Sequence, residues 1–171
     1  MNDFRRMTIF VTGVFFFALI IFGCQKETDA DTIGPDFSLL DLSGQERTLG
    51  EFKGKVVLLD FWATWCLPCK MSLPKLVKLQ KENRDKGLII LGVSLDNPES
   101  MSNKDLLVFK EKNNINYPIL RANQKILQDY FKDSSIAIPT LFIIDREGRI
   151  RDKIVGYEPG AVEKGLLDVL K

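Results

Sequence analysis

Three near-continuous apolar runs divide the chain: VVLLDFWA (residues 56–63), LIILGVSL (88–95) and IAIPTLFII (136–144). Runs of this length without polar alternation predict strands buried on both faces of a sheet. Between the first two, Met71, Leu73, Leu76, Val77 and Leu79 recur at helical spacing until Gly87, with Pro74 as an expected kink. NKDLLVFKEKNN (103–114) reads as a helix ended by its two asparagines, and QKILQDYF (124–131) as a shorter one. YPIL (117–120) between them is a short extended piece. RIRDKIVG (149–156) alternates polar and apolar residues as a half-buried strand, and the turn sequence DREG joins it to the third apolar run as an antiparallel edge hairpin. AVEKGLLDVLK (161–171) closes the chain as an amphipathic helix. Ahead of all this, FSLLDL and ERTL flank a Gly44 turn and predict two short strands, and EFKGK is a connector with one helical turn. Strands alternating with helices predict an α/β architecture: a mixed central β-sheet with helices on both faces and an N-terminal β-hairpin extension.

The first thirty residues follow another pattern. MNDFRRM carries two arginines, sixteen uncharged residues follow from Thr8 to Gly23, and Cys24 then opens the polar run QKETDADT. A basic start before an apolar stretch is the form of an export signal and directs the following chain out of the cytoplasm. IIFGC resembles a bacterial lipobox, which makes Cys24 a candidate lipidated N-terminus. As an uncleaved anchor helix the apolar stretch would span about 24 Å, somewhat short of a hydrocarbon core of about 30 Å. Ordinary cleavage and release is the third fate. The expected organisation is an export signal or membrane anchor over residues 1–23, a tether over 24–34 and one domain over 35–171, tethered to the membrane on the extracytoplasmic (periplasmic) side of a bacterial cell envelope.

Charge narrows the partners. Residues 24–171 hold 22 basic and 22 acidic side chains, so no basic field favours nucleic acid. A monomer is expected. The 171 residues include no histidine. That excludes Cys-His nucleophiles, Ser-His-Asp triads and histidine-bearing zinc sites, and Lys70 after the second cysteine of the pair excludes covalent haem attachment.

The candidate chemistry lies in FWATWCLPCK (61–70). Cys66 and Cys69 stand three residues apart where a strand gives way to a helix. Residues i and i+3 share a helix face at about 5–6 Å between Cβ atoms, and a disulfide needs about 3.5–4.5 Å. Bond formation therefore requires little backbone motion, while so short a closed loop stabilises the fold little. Both points favour a switchable redox pair over a structural staple. Free N–H groups and the positive dipole end of the helix stabilise a thiolate, so Cys66 is the nucleophile and Cys69 the resolving thiol. Pro68 stiffens the turn between them. A zinc site would need two more ligands, and Cys24 is the one other cysteine. No metal or other cofactor is expected. Asp60 is a lone charge inside an apolar run, where it needs a use or a partner.

DFWATWCLPCK, with IPT at residues 138–140, resembles the active-site segment and cis-proline loop of thioredoxin-fold proteins. The stretch from Gly34 to Cys66 resembles the membrane-tethered TlpA/ResA-like thiol–disulfide oxidoreductases, AhpC/TSA relatives that share this opening with peroxiredoxins. The resemblance covers residues 33–171. It implies a thioredoxin-like fold, redox roles for a Cys66–Cys69 disulfide, and a cis Pro139 beside it that, with Ile138 and Thr140, holds the substrate strand. Asp60 takes the place of the buried aspartate that accepts a proton from the resolving thiol, and exposed Trp65 and Pro68 would form an apolar docking surface. Trp62, deeper in the strand, reads as core. The implied function is reduction of protein disulfides, with electrons from a membrane-embedded donor and cytochrome c maturation among the family's tasks. Ser72 departs from the glutamate that ResA-like proteins commonly carry three residues after the second cysteine, which leaves Asp60 as the carboxylate that handles protons.

Two other classes fit parts of the pattern. A peroxiredoxin-like thiol peroxidase matches the N-terminal segment, but Ala63 stands where those enzymes place a Thr or Ser three residues before the reactive cysteine. A binding module without turnover would keep the fold, and the presence of both cysteines argues against it.

Overall fold

The computed structural model describes residues 32–132 and 134–171. The first apolar run becomes strand β4 (Val56–Trp62), buried along its whole length, and the second becomes β5 (Leu88–Ser94). The third supplies β7 (Thr140–Ile144), which starts only after Pro139. Around them lie β1 (Thr32–Ile33), β2 (Ser38–Leu40), β3 (Glu46–Thr48), β6 (Ile119–Arg121) and β8 (Arg149–Val155). Helices α1 (Leu67–Asn83), α2 (Asn103–Lys112), α3 (Gln124–Phe131) and α4 (Ala161–Leu166) complete the order.

Six strands form one mixed sheet in the order β1-β8-β7-β4-β5-β6. β4, β5 and β6 run parallel, as expected for strands joined through helices, while β7 and β8 are antiparallel to their neighbours. β2 and β3 form a separate hairpin, as the Gly44 turn predicts. Alternate residues of β4 face opposite layers. Val56, Leu58 and Trp62 pack with α1, Leu106 of α2 and Val162 and Leu166 of α4. Val57, Leu59 and Phe61 pack with Phe37, Leu39, Leu49 and Phe52 and with Ile126, Tyr130 and Phe131 of α3.

The tether boundary differs from expectation. Thr32 and Ile33 pair with Ile150 and Arg149, so the sheet begins inside the stretch read as tether, and β1 rather than β8 is the outer strand. The alternation of β8 is broken as well. A register shift at Ile143/Ile144 turns Ile150 toward the α3 layer and leaves Ile154 in the α1 layer. α1 continues through Pro74 to Asn83, and α2 ends with Asn114 in the left-handed region. Among the described residues no helix is long and apolar enough to cross a membrane. The export pattern and Cys24 lie outside the described residues.

Candidate active site

α1 starts at the end of the fully buried β4, and this junction builds the site. Cys66 is the N-cap residue of α1: its backbone is extended and its sulfur accepts the Cys69 N–H at 3.2 Å. The side chain thus satisfies one of the donors that a helix start leaves open, and that same N–H would stabilise a thiolate. Pro68 occupies the first turn, where its missing donor costs nothing. Cys66 and Cys69 form a disulfide. The two sulfurs are unequal: Cys66 is 5% exposed at the rim, Cys69 wholly buried beneath it. Of the two sulfurs, that of Cys66 is the one nearer to solvent.

The Ile138–Pro139 peptide bond is cis, and the Ile138 carbonyl oxygen lies 3.8 Å from Cys66 Sγ. The structure therefore brings together Cys66, Cys69, Ile138 and Pro139. Trp65 (68% exposed) and Pro68 flank them at the surface, and Leu67, Met71 and Ile136 are exposed as well, although patterning places Met71 on the apolar face of the helix and Ile136 in a buried strand. Thr140 is placed differently from the sequence expectation: its side chain is buried, and its hydroxyl donates to the Ala137 carbonyl. It shapes the Pro139 loop from inside. Ser72 donates to the Cys69 carbonyl at 2.7 Å, a bond internal to the helix. Trp62 is core, its ring tilted 33° against that of Phe109 at 5.5 Å.

Asp60 lies on the α1 side of β4, 1% exposed, and neither carboxylate oxygen has a hydrogen-bond partner among the described residues. Burial pushes its carboxyl up to about 7. A carboxylate titrating there can both accept and return a proton near neutrality. A buried acceptor left unpaired costs on the order of 1–3 kcal/mol, so this position opposes folding rather than supporting it.

A second buried carboxylate has the opposite surroundings. Asp96 accepts from the Thr64 backbone N–H (3.1 Å), the Thr64 hydroxyl (2.7 Å) and the Ser94 hydroxyl (2.9 Å). Arg121 donates to the Asp96 carbonyl and, at 2.8 Å, to Asn103. This network pins the loop ahead of Cys66 to the end of β5 and the start of α2. Sequence reading missed it. The hint available was an aspartate directly after the second apolar run, 32 residues from its partner.

Residues 31–153 match the model of the AhpC/TSA family. The thioredoxin-like protein YneN of Bacillus subtilis is 43% identical over 122 residues, covering 71% of this chain and 69% of that protein. The thiol-disulfide oxidoreductase ResA of Geobacillus kaustophilus is 35% identical over 123 residues, covering 71% and 67%. The chain belongs to the AhpC/TSA family. Among solved structures, one assigned as a thiol:disulfide interchange protein DsbE from Chlorobium tepidum superposes with a TM-score of 0.73 at 30% identity, covering 84% of this chain and 99% of that one. The fold is thioredoxin-like, and the expected class stands: a thiol–disulfide oxidoreductase of the ResA/DsbE type whose redox pair is Cys66–Cys69.

Proposed function

We propose that the protein reduces disulfides of other proteins outside the cytoplasm, tethered to the membrane through its N-terminal segment and recharged by a membrane-embedded electron donor. The observation that carries this reading is the unequal cysteine pair at the start of α1, its outer sulfur set against the Ile138 carbonyl within an apolar rim. The Cys66 thiolate attacks a substrate sulfur, the substrate's S–S bond breaks, and a mixed disulfide forms. Asp60, as carboxylate, takes the proton of the Cys69 thiol. The Cys69 thiolate then attacks Cys66 Sγ, closes the internal disulfide and releases the substrate as a dithiol after protonation. Two electrons pass to the substrate.

The reducing direction is favoured because the stabilisation offered to the thiolate is limited to the helix start. A strongly oxidising pair owes its potential to a stabilised reduced form. This chain has no histidine to offer Cys66, and among the described residues the hydrogen bond its sulfur accepts comes from the Cys69 N–H. A weakly stabilised thiolate favours the disulfide and makes the dithiol a reductant. Trp65, Leu67, Pro68 and Met71 supply the docking surface, and the Pro139 loop pairs with the substrate backbone. The location rests on the basic start and apolar stretch before Cys24. Ser72 in place of the family glutamate argues against a dedicated role in cytochrome c maturation.

Single-turnover reduction of insulin disulfides between pH 6 and 9 tests the mechanism. Asp60→Asn should slow the resolving step above pH 7, and Ser72→Ala should change it little. Equal rates for Asp60→Asn and wild type would remove the relay. The AhpC/TSA match keeps the peroxidase alternative in view. The hydroxyl nearest to the required position, that of Thr64, is already bonded to Asp96. Turnover of hydrogen peroxide with a thiol reductant at rates above a Cys66→Ser control would reverse the preference.

A further inference from the structure

Three buried polar side chains with no hydrogen-bond partner among the described residues share one place: Asp60, the Trp62 indole N–H and the Tyr117 hydroxyl. Their common neighbour is Gly92, which pairs directly with Asp60 across β4 and β5. A Cβ at Gly92 would stand 2.9 Å from Trp62 Nε1 and 3.2 Å from Tyr117 Cε2, the ring carbon next to the one bearing the hydroxyl. The absence of a side chain there lets both rings close over the position beside the carboxylate. Tyr117 is 1% exposed and sits just ahead of β6, so the sheet, rather than solvent, determines where its hydroxyl points. Burial, and secondarily the charge of Asp60, push the Tyr117 hydroxyl well up from its ordinary value, so it stays protonated and can act on Asp60 only as a dipole and donor.

We propose that Tyr117 is a positioning residue for Asp60, its ring closed over Gly92 so that its hydroxyl dipole sets the pH at which the carboxylate takes up and returns a proton. The other elements packed on Asp60 offer little to compete. Its strand partners are Gly92 of β5 and Leu141 of β7, and the α1 layer on its side of the sheet includes Cys69, which is held in the disulfide. When Asp60 ionises, the hydroxyl and the indole N–H, neither bonded elsewhere among the described residues, are the polar groups whose dipoles can respond to it. Both favour the charged form against the burial that opposes it. Without the hydroxyl the carboxyl should hold its proton to a higher pH. The consequence for turnover rests on the relay assigned to Asp60 above, whereas the titration of Asp60 does not.

The test uses the full-length oxidised chain in detergent micelles, with 13C carboxyl signals followed from pH 5 to 9. The Asp60 signal is the one lost in Asp60→Asn. Its midpoint should lie near 7 in the wild type and move up by about one pH unit in Tyr117→Phe, the size expected for loss of one donor to a buried charge. A second readout needs no substitution at Tyr117: its ring 13Cζ shift should step at the Asp60 midpoint in wild type and become flat in Asp60→Asn. A flat Tyr117 signal in wild type, or an unmoved Asp60 midpoint in Tyr117→Phe, overturns the assignment. The pH profile of mixed-disulfide resolution should follow the shifted midpoint. If the midpoint moves and the profile does not, the Tyr117 assignment stands and the relay falls.

Discussion

Asp60→Asn should make the oxidised protein more stable at pH 8 and leave it almost unchanged at pH 4. Asp60 titrates near 7 in the folded chain and near 4 when unfolded. Its pKa is raised by folding, so its stabilising effect is fully present below about pH 4, where both states are protonated. That effect falls away as the pH rises through the folded value, at about 1.4 kcal/mol per pH unit between roughly 4 and 7, and the loss levels off above. The loss reaches about 4 kcal/mol. Asparagine is isosteric with the protonated acid and cannot ionise, so the variant lacks this dependence. In urea, with a slope of about 2 kcal/mol per molar, the variant's midpoint should exceed the wild type's by about 2 M at pH 8 and coincide with it near pH 4. Equilibrium unfolding of a fragment beginning at Asp31, followed by far-UV circular dichroism with the disulfide intact, gives both numbers. Every other titrating group cancels in the difference. A gap that is the same at pH 5 and pH 8 would refute the reasoning, because it would mean that folded Asp60 does not hold its proton above pH 5.

Other substitutions separate the remaining parts of the site. Asp96→Ala orphans the Thr64 and Ser94 donors and should cost about 3 kcal/mol, lowering the melting temperature by roughly 10 °C; a loss below 2 °C in calorimetry would show that the clamp contributes nothing. Trp65→Ala should reduce kcat/KM for insulin disulfides by roughly tenfold and leave reaction with a small aromatic disulfide unchanged, since it removes docking surface rather than chemistry. Cys69→Ser should accumulate the mixed disulfide with substrate, visible by non-reducing electrophoresis, whereas Cys66→Ser should form none. Gly92→Ala drives a methyl group into Trp62 and Tyr117 and should destabilise by about 1–3 kcal/mol in urea unfolding.

The sequence exposes what depends on local pattern. Apolar runs such as 56–63 can be satisfied only as buried strands, so β4, β5 and β7 and their connecting helices are readable from hydrophobicity. The Cys66–Cys69 spacing at a strand-to-helix junction states its own chemistry, and a charge inside VVLLDFW marks Asp60. Features fixed by distant partners are not readable. The two residues of β1 carry no pattern and exist because the edge of β8 is available. The β8 bulge depends on what Ile150 and Ile154 each meet in opposite layers. Asp96 reads as a polar strand end until the fold brings Thr64 to it, and Tyr117 reads as one residue of a short extended piece. Pro139 is legible as cis through family resemblance and not through composition. In each case the deciding neighbour lies tens of residues away.

The central claim is that the Cys66–Cys69 dithiol gives electrons to other proteins. The equilibrium reduction potential of this pair, measured against a glutathione or dithiothreitol redox series, tests it most directly. The account predicts about −270 mV or lower, the region of thioredoxin. A value near about −120 mV, the region of proteins that insert disulfides, would contradict it and reverse the direction of electron flow.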